Sequence, residues 1–141
     1  MFKNISSTLI ILLIGVFALA GCQSAKEPGT EIKTDTGSYR LVSATELKTM
    51  LESKDFFMVN VHIPWQGNIP QTDLHLAYDQ IEPNLAQLPK DKDAKILVYC
   101  LTSEMAKKAV ATLLAQGYTN LWMLDGGTTA WEEAGLGLEK K

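Results

Sequence analysis

The sequence predicts an α/β fold in which a central, mostly parallel sheet carries helices on both faces. Two observations lead there. Apolar runs of strand length alternate with segments whose apolar residues recur at helical spacing; strands separated by helices imply right-handed crossovers and parallel pairing. Two of the runs, 56–61 and 96–99, are almost continuously apolar, the pattern of strands buried on both faces.

In chain order, Tyr39-Arg40-Leu41-Val42 reads as a short strand. Ser43 followed by Glu46 has capping-box spacing, and Leu47, Met50 and Leu51 then repeat at helical period, so a helix is expected near 44–53. The run 56–61 is the next strand. Residues 62–72 hold Pro64, Gly67 and Pro70 and read as loop. A short helix fits 81–88, closed by Pro89, and a polar turn follows at 90–93. The strand 96–99 delivers Cys100 at its end. Residues 103–116 form a helix with Met105, Ala106, Ala109, Val110, Leu113 and Leu114 on one stripe and Gly117 just past its end. Residues 120–124 make a last strand. Asp125-Gly126-Gly127 then turns the chain into a helix that runs through Trp131 and ends near Gly135. Trp122 and Trp131 are expected in the core.

A chain of 141 residues fits one domain. A net charge of −3 gives no basic face and so no footprint for nucleic acid. The two cysteines cannot build a disulfide-dense scaffold or a four-thiolate zinc site. Cys100, His62 and Met105 are soft-metal ligand types, but no close ligand pair supports a metal site. No cofactor is called for, and the expected state is a monomer. Arg40 is the single arginine, so chemistry that needs a rigid guanidinium fork must use it or do without.

The N-terminus is a separate region. Residues 8–20 form an apolar run preceded by Lys3. It is shorter than the ~20 residues of a membrane span and suits the core of a secretory signal. The run ends in Leu19-Ala20-Gly21-Cys22, which resembles the lipobox of bacterial lipoproteins. That resemblance implies a signal peptide over 1–21, a diacylglycerol on Cys22, and attachment to a membrane on the periplasmic or extracytoplasmic side of the cell envelope. Residues 22–38, with Ile32 as their single large apolar residue, read as a flexible tether, and the folded domain is expected over 39–141.

Cys100 is the chief candidate for chemistry. A thiol between a buried strand and a helix lies at the carboxyl end of the sheet, where ligands of such folds bind. Backbone N–H groups of the loop and the helix dipole favour an anion there, and the thiolate is the nucleophilic form. The competing reading is a small buried hydrophobe. Asn60, His62 and Trp65 follow the neighbouring strand end and are candidates to line the same pocket. For His62 a loop or surface role, for Trp65 a packing role, and for His75 a structural or surface role are the simpler readings. Thr102 and Ser103 are candidate donors to a bound sulfur species, although capping of the following helix explains Ser103 equally well.

The order of these pieces resembles the rhodanese-like domain family. The strongest stretch runs from Ile96 through Cys100, Ala106 and Ala109 to Gly117-Tyr118-Thr119-Asn120-Leu121, Leu124-Asp125-Gly126-Gly127, Trp131 and Gly135, and Gly67-Asn68-Ile69-Pro70 adds a second match. The resemblance covers about residues 39–138. It implies a sulfurtransferase or persulfide carrier: Cys100 would take a sulfane sulfur from a small donor and pass it to a thiol or other nucleophile. Residues 100–105, with Leu101, Thr102, Ser103, Glu104 and Met105, would form the substrate-binding loop. The family loop resembles C-R-x-G-x-R; here Leu101 and Met105 replace the arginines, Ser103 replaces the glycine, and Glu104 adds an acid. Thiosulfate would lack its cationic partner. Ala106 stands where a Cys-x₅-Arg phosphatase needs arginine, which excludes that chemistry. A non-catalytic module that docks a protein partner, and a single-thiol redox protein, remain as alternatives.

Overall fold

The computed structural model describes residues 26–140. The signal peptide expected over 1–21 and the lipidation expected at Cys22 lie outside these residues. Among the described residues no helix is long and apolar enough to cross a membrane.

The strands are β1 (Thr30–Thr34), β2 (Gly37–Val42), β3 (Phe57–Asn60), β4 (Leu74–His75), β5 (Ile96–Tyr99) and β6 (Leu121–Leu124); the helices are α1 (Ala44–Leu51), α2 (Glu104–Ala115) and α3 (Gly127–Glu133), with a 3₁₀ segment over Glu82–Gln87. They form one six-stranded sheet in the order β1-β2-β6-β5-β3-β4. Only the β1–β2 pairing is antiparallel. The expected α/β fold, a mostly parallel sheet between helical layers, is therefore present.

Side-chain alternation along β5 divides the interior into two cores. Ile96, Val98 and Cys100 join α2 through Ala106, Ala109, Val110 and Leu113. Leu97 and Tyr99 point the other way and meet Leu47 and Leu51 of α1 and Trp131 of α3. Trp122 and Trp131 are buried as expected. The capping box at α1 is complete, with Ser43 N donating to Glu46 Oε2 at 2.8 Å and Glu46 N to Ser43 Oγ at 3.2 Å. The bond from the Ser43 backbone, then one from Gly29 N, hold the Glu46 carboxyl below its ordinary pKa.

Two expectations need correction, and one short strand is new. Part of the predicted tether, Thr30–Thr34 with Gly37 and Ser38, is a β-hairpin on the sheet edge. Hydropathy misses it because polar groups hold the chain there. Arg40 Nε donates to Pro28 O at 3.0 Å, and its Nη2 donates to Glu27 O and Gly29 O. The folded domain thus begins before residue 39. The helix expected over 81–88 is a kinked 3₁₀ segment, broken at Asn84, whose φ is −119°. The short strand β4 was not foreseen; two residues on an edge carry no periodicity to read.

Tyr99 joins β5 to the loop after β3. Its hydroxyl is buried, accepts from Ile69 N at 3.0 Å and lies 2.7 Å from Thr72 Oγ1. Thr72 spends its proton on Ile69 O, so Tyr99 donates to Thr72. Burial pushes the phenol up to about 12, against the lowering effect of these bonds. The folded state therefore prefers the neutral phenol. Its contribution is whole below pH ~10 and is lost as the pH rises towards the folded value. Tyr99→Phe should cost about 1–3 kcal/mol at neutral pH, because Ile69 N–H loses its partner. It should also flatten the fall in stability between pH ~10 and ~12. Urea unfolding across that pH range checks both effects.

Candidate active site

Cys100 follows β5, the strand flanked by β6 and β3, and is 1% exposed. The chain then bends through 101–103 into α2. This short bend brings the amide of Ala106, in the first turn of α2, back onto the thiol, with Ala106 N donating to Cys100 Sγ at 3.4 Å. Among the described residues this is the one backbone N–H bonded to the sulfur. Met105 packs against the same core cluster as Cys100 and helps close the site.

The other side of the loop is bound to the turn after β6. Thr128 N donates to Cys100 O at 2.9 Å and Thr129 N to Leu101 O at 3.0 Å. Gly126 N donates to Ser103 Oγ at 3.0 Å. Ser103 therefore ties the loop to α3 and makes no side-chain capping bond to α2. The first N–H groups of α3, which have no partner within their own helix, find one in the loop carbonyls.

The remaining predicted residues separate into distinct roles. Thr102 and Glu104 are exposed, and Glu104 pairs with Lys107 at 2.9 Å on the surface. Leu101 is half-buried and lines an open cleft of about 460 Å³ with Trp65, Gln66, Thr128, Glu132, Leu138 and Lys140. Asn60 is buried and fully used: Nδ2 donates to Gly67 O and Asn68 Oδ1, and Oδ1 accepts from His62 N. It holds the loop after β3 in place. His62 is buried, not on the surface, and neither ring nitrogen has a hydrogen-bond partner. Burial, and then the charge of His75, hold its imidazole below the ordinary value. His75 is exposed and bonds through Nε2 to His62 O, a structural tie. Trp65 is 37% exposed, with the rest of its surface covered and its Nε1 bonded to Asn68 Oδ1.

Sequence reasoning missed Gln66, Thr128, Glu132, Leu138 and Lys140. Thr128 and Glu132 lie within the Gly-Gly…Trp helix already noted. The alternating Leu136 and Leu138 mark an extended tail that could have been read. Cations are scarce near the thiol. Arg40 is engaged with the β1 lead-in and lies 5.2 Å from the Trp122 ring. Lys107 pairs with Glu104, and Lys108 lies 5.4 Å from the Tyr78 ring.

Gly127 is the closest approach in the site. Its φ is +57°, and a Cβ there would lie 2.2 Å from Cys100 O and 2.5 Å from Thr102 O. Gly127→Ala must push the loop off α3. It should cost about 2–4 kcal/mol, from strain at positive φ and the lost bonds. Thermal unfolding would show the loss, and faster hydrogen exchange at 100–106 would locate it.

The rhodanese-like domain family matches residues 43–134. A protein named sulfurtransferase from Allochromatium vinosum is 32% identical over 90 residues, 62% of this chain and 81% of the relative. A thiosulfate sulfurtransferase from Shewanella oneidensis is 29% identical over 100 residues, 69% of this chain and 96% of the relative. The crystal structure of a rhodanese-like domain protein from Staphylococcus aureus superposes with a TM-score of 0.58 at 29% identity, covering 71% of this chain and 98% of that one. With a matching domain over most of its described residues and the same sheet between two helical layers, this chain belongs to the rhodanese-like domain family.

Proposed function

We propose that this protein is a sulfurtransferase or persulfide carrier of the bacterial cell envelope, with Cys100 as the sulfur-bearing residue and a lipid on Cys22 as its anchor. One observation carries the reading: a buried thiol at the carboxyl end of β5, inside a loop that returns the Ala106 amide to the sulfur at 3.4 Å. Relatives named sulfurtransferases support it. In the first step the Cys100 thiolate attacks the sulfane sulfur of a donor; the new S–S bond forms as the donor's own bond to that sulfur breaks, and the electron pair leaves with the donor. In the second, an acceptor thiolate attacks the terminal sulfur and the pair returns to Cys100. Sulfur changes hands with no external oxidant. The Ala106 N–H and the N-terminus of α2 favour negative charge on the persulfide.

The donor class follows from the cations. An anionic thiosulfate needs a charged, preferably bidentate partner. The loop has none, and Arg40 is held elsewhere. Low-molecular persulfides and polysulfides demand less clamping. Incubated with polysulfide and read by intact mass, the full chain should gain one sulfur at Cys100, and Cys100→Ser should gain none. Thiosulfate should load it at least about tenfold more slowly. Absence of a sulfur adduct with every donor, while Cys100 still alkylates in the unfolded chain, would sink the proposal.

A second reading, a non-catalytic docking module, draws on the 1% exposure of Cys100 and the arginine-free loop. In that case Cys100→Ser would leave cellular function intact; under the carrier reading function is lost.

The anchor has its own test. Acyl chains contribute about 0.8 kcal/mol per buried CH₂, so multiple chains hold a protein firmly. Cys22→Ala should move the protein from the membrane to the soluble fraction and abolish incorporation of labelled fatty acid. Unchanged labelling would remove the lipid from the proposal.

A further inference from the structure

The two edges of the sheet are unlike. β4 closes one edge with two residues, too few to template a neighbour. β1 closes the other with five, Thr30-Glu31-Ile32-Lys33-Thr34, in unbroken register with β2 and without proline. Pairing with β2 uses alternate N–H and C=O groups, so the others point outward. Among the described residues no strand takes them. The strand is also held in place. Arg40, opposite Glu31 on β2, donates to the carbonyls of Pro28 and Gly29 just ahead of it. At its end Thr34 Oγ1 donates to Gly37 O at 2.9 Å across the turn. A ribbon fixed in this way has little ordering entropy left to lose on pairing.

The side chains of β1 form a palindrome of opposite charge. Glu31 and Lys33 share one face, and Ile32 lies on the other. Run antiparallel to a copy of itself about Ile32, the strand sets Glu31 against the second copy's Lys33, and Lys33 against the second copy's Glu31. Thr30 then meets Thr34, and Ile32 meets its counterpart. Other registers conflict. A slip of two residues opposes two glutamates or two lysines, and parallel pairing in register opposes both. A slip of one residue sets a charge against Ile32. Lysine on an edge ordinarily blunts it; here the glutamate two residues earlier answers it in one arrangement only. Both charged side chains are exposed, and among the described residues neither takes part in an ion pair. Ile32 is half-buried, and its partner across the hairpin, Tyr39, packs against the larger core cluster. A second Ile32 beside it extends that apolar margin.

We propose that β1 pairs antiparallel with β1 of a second copy of this chain, centred on Ile32, so that two six-stranded sheets join into one. This homodimer replaces the monomer expected from the sequence and is independent of the chemistry at Cys100. Five residues a side fall short of the ~1,200 Å² of a stable specific interface, so the association is weak and reversible. Charge sets its register more than its strength.

The test is a cross-link that reads register. The full chain is purified with detergent micelles in large excess over protein. It carries Ile32→Cys or, as a control at the exposed turn, Thr36→Cys. After mild copper–phenanthroline oxidation, peptide mass identifies a disulfide between two positions 32. Directly opposed residues lie within disulfide reach, whereas positions 36 are more than about 20 Å apart. Ile32→Cys should therefore link at least about fivefold faster than Thr36→Cys. Adding Glu31→Lys or Lys33→Glu to Ile32→Cys should slow the link about three- to thirtyfold, because each makes two like-charge pairs. The double swap, Glu31→Lys with Lys33→Glu, should restore it. The two single reversals, mixed, should link to each other in preference to themselves. Both positions are exposed, so each variant should keep the melting temperature of its Ile32→Cys parent, and the double swap also keeps the parent's composition. Equal rates at positions 32 and 36, indifference to charge reversal, or no recovery in either the swap or the mixture would overturn the proposal. So would a bond from position 32 to Cys22 of the same chain, which would place the chain's own leader on that edge.

Discussion

The docking of α3 on the loop after β5 is the contact on which the rest of the site depends. Backbone N–H groups of Thr128 and Thr129 take the carbonyls of Cys100 and Leu101, and Gly126 takes the hydroxyl of Ser103. These bonds satisfy helix-terminal donors and loop acceptors together, so neither group is left bare beside the core. They also give the loop two sides. Its carbonyls at Cys100 and Leu101 face α3, while the amide of Ala106 reaches the sulfur. A side chain at Gly127 would abolish the contact, which is why a left-handed glycine sits there. Asn60 does the same work on the facing loop, fixing Gly67, Asn68 and His62 from one amide.

Charge placement is the second constraint. The described basic side chains near the sheet are spent on structure. Arg40 gathers carbonyls of the chain entering β1, and Lys95 pairs with Asp55 while lying 4.5 Å from the Trp122 ring. Lys107 is matched by Glu104. The thiol's surroundings therefore rely on backbone dipoles, which a monoanionic persulfide can use without a guanidinium. A doubly charged donor loses far more hydration on entering, a cost that these dipoles alone do not offset. The charges that line the cleft, Glu132 and Lys140, are of opposite sign and so create no general attraction for anions.

Much of this was readable before the structure. Strands such as Ile96–Tyr99 are legible because four consecutive buried positions demand four apolar residues. The stripe of α2 and the capping box at Ser43 and Glu46 are equally plain, since period and spacing express them directly. The hairpin of β1 was hidden because Arg40 and Glu46 hold it, and both act across distances that local patterns do not span. The bridge from the chain's tail escaped for the same reason: Asn68 lies 71 residues from Glu139 in sequence. Cys100 was visible from its place at a strand end. The role of Ser103 was not, because capping and tertiary bonding draw on the same hydroxyl.

Burial of the thiol constrains how any sulfur could be added. Cys100 is 1% exposed and belongs to the same buried cluster as Ala106 and Ala109, so a donor does not reach its sulfur from solvent in this arrangement. The room must come from something that moves. The backbone of 100–103 is held by α3, and displacing it would leave three donors and acceptors unpaired at about 1–3 kcal/mol each. Leu101 and Met105, both half-buried, have only apolar contacts to give up, and a rotamer change breaks no hydrogen bond. These two side chains, at the positions where the family pattern carries arginine, are the parts of the loop that can move at least cost.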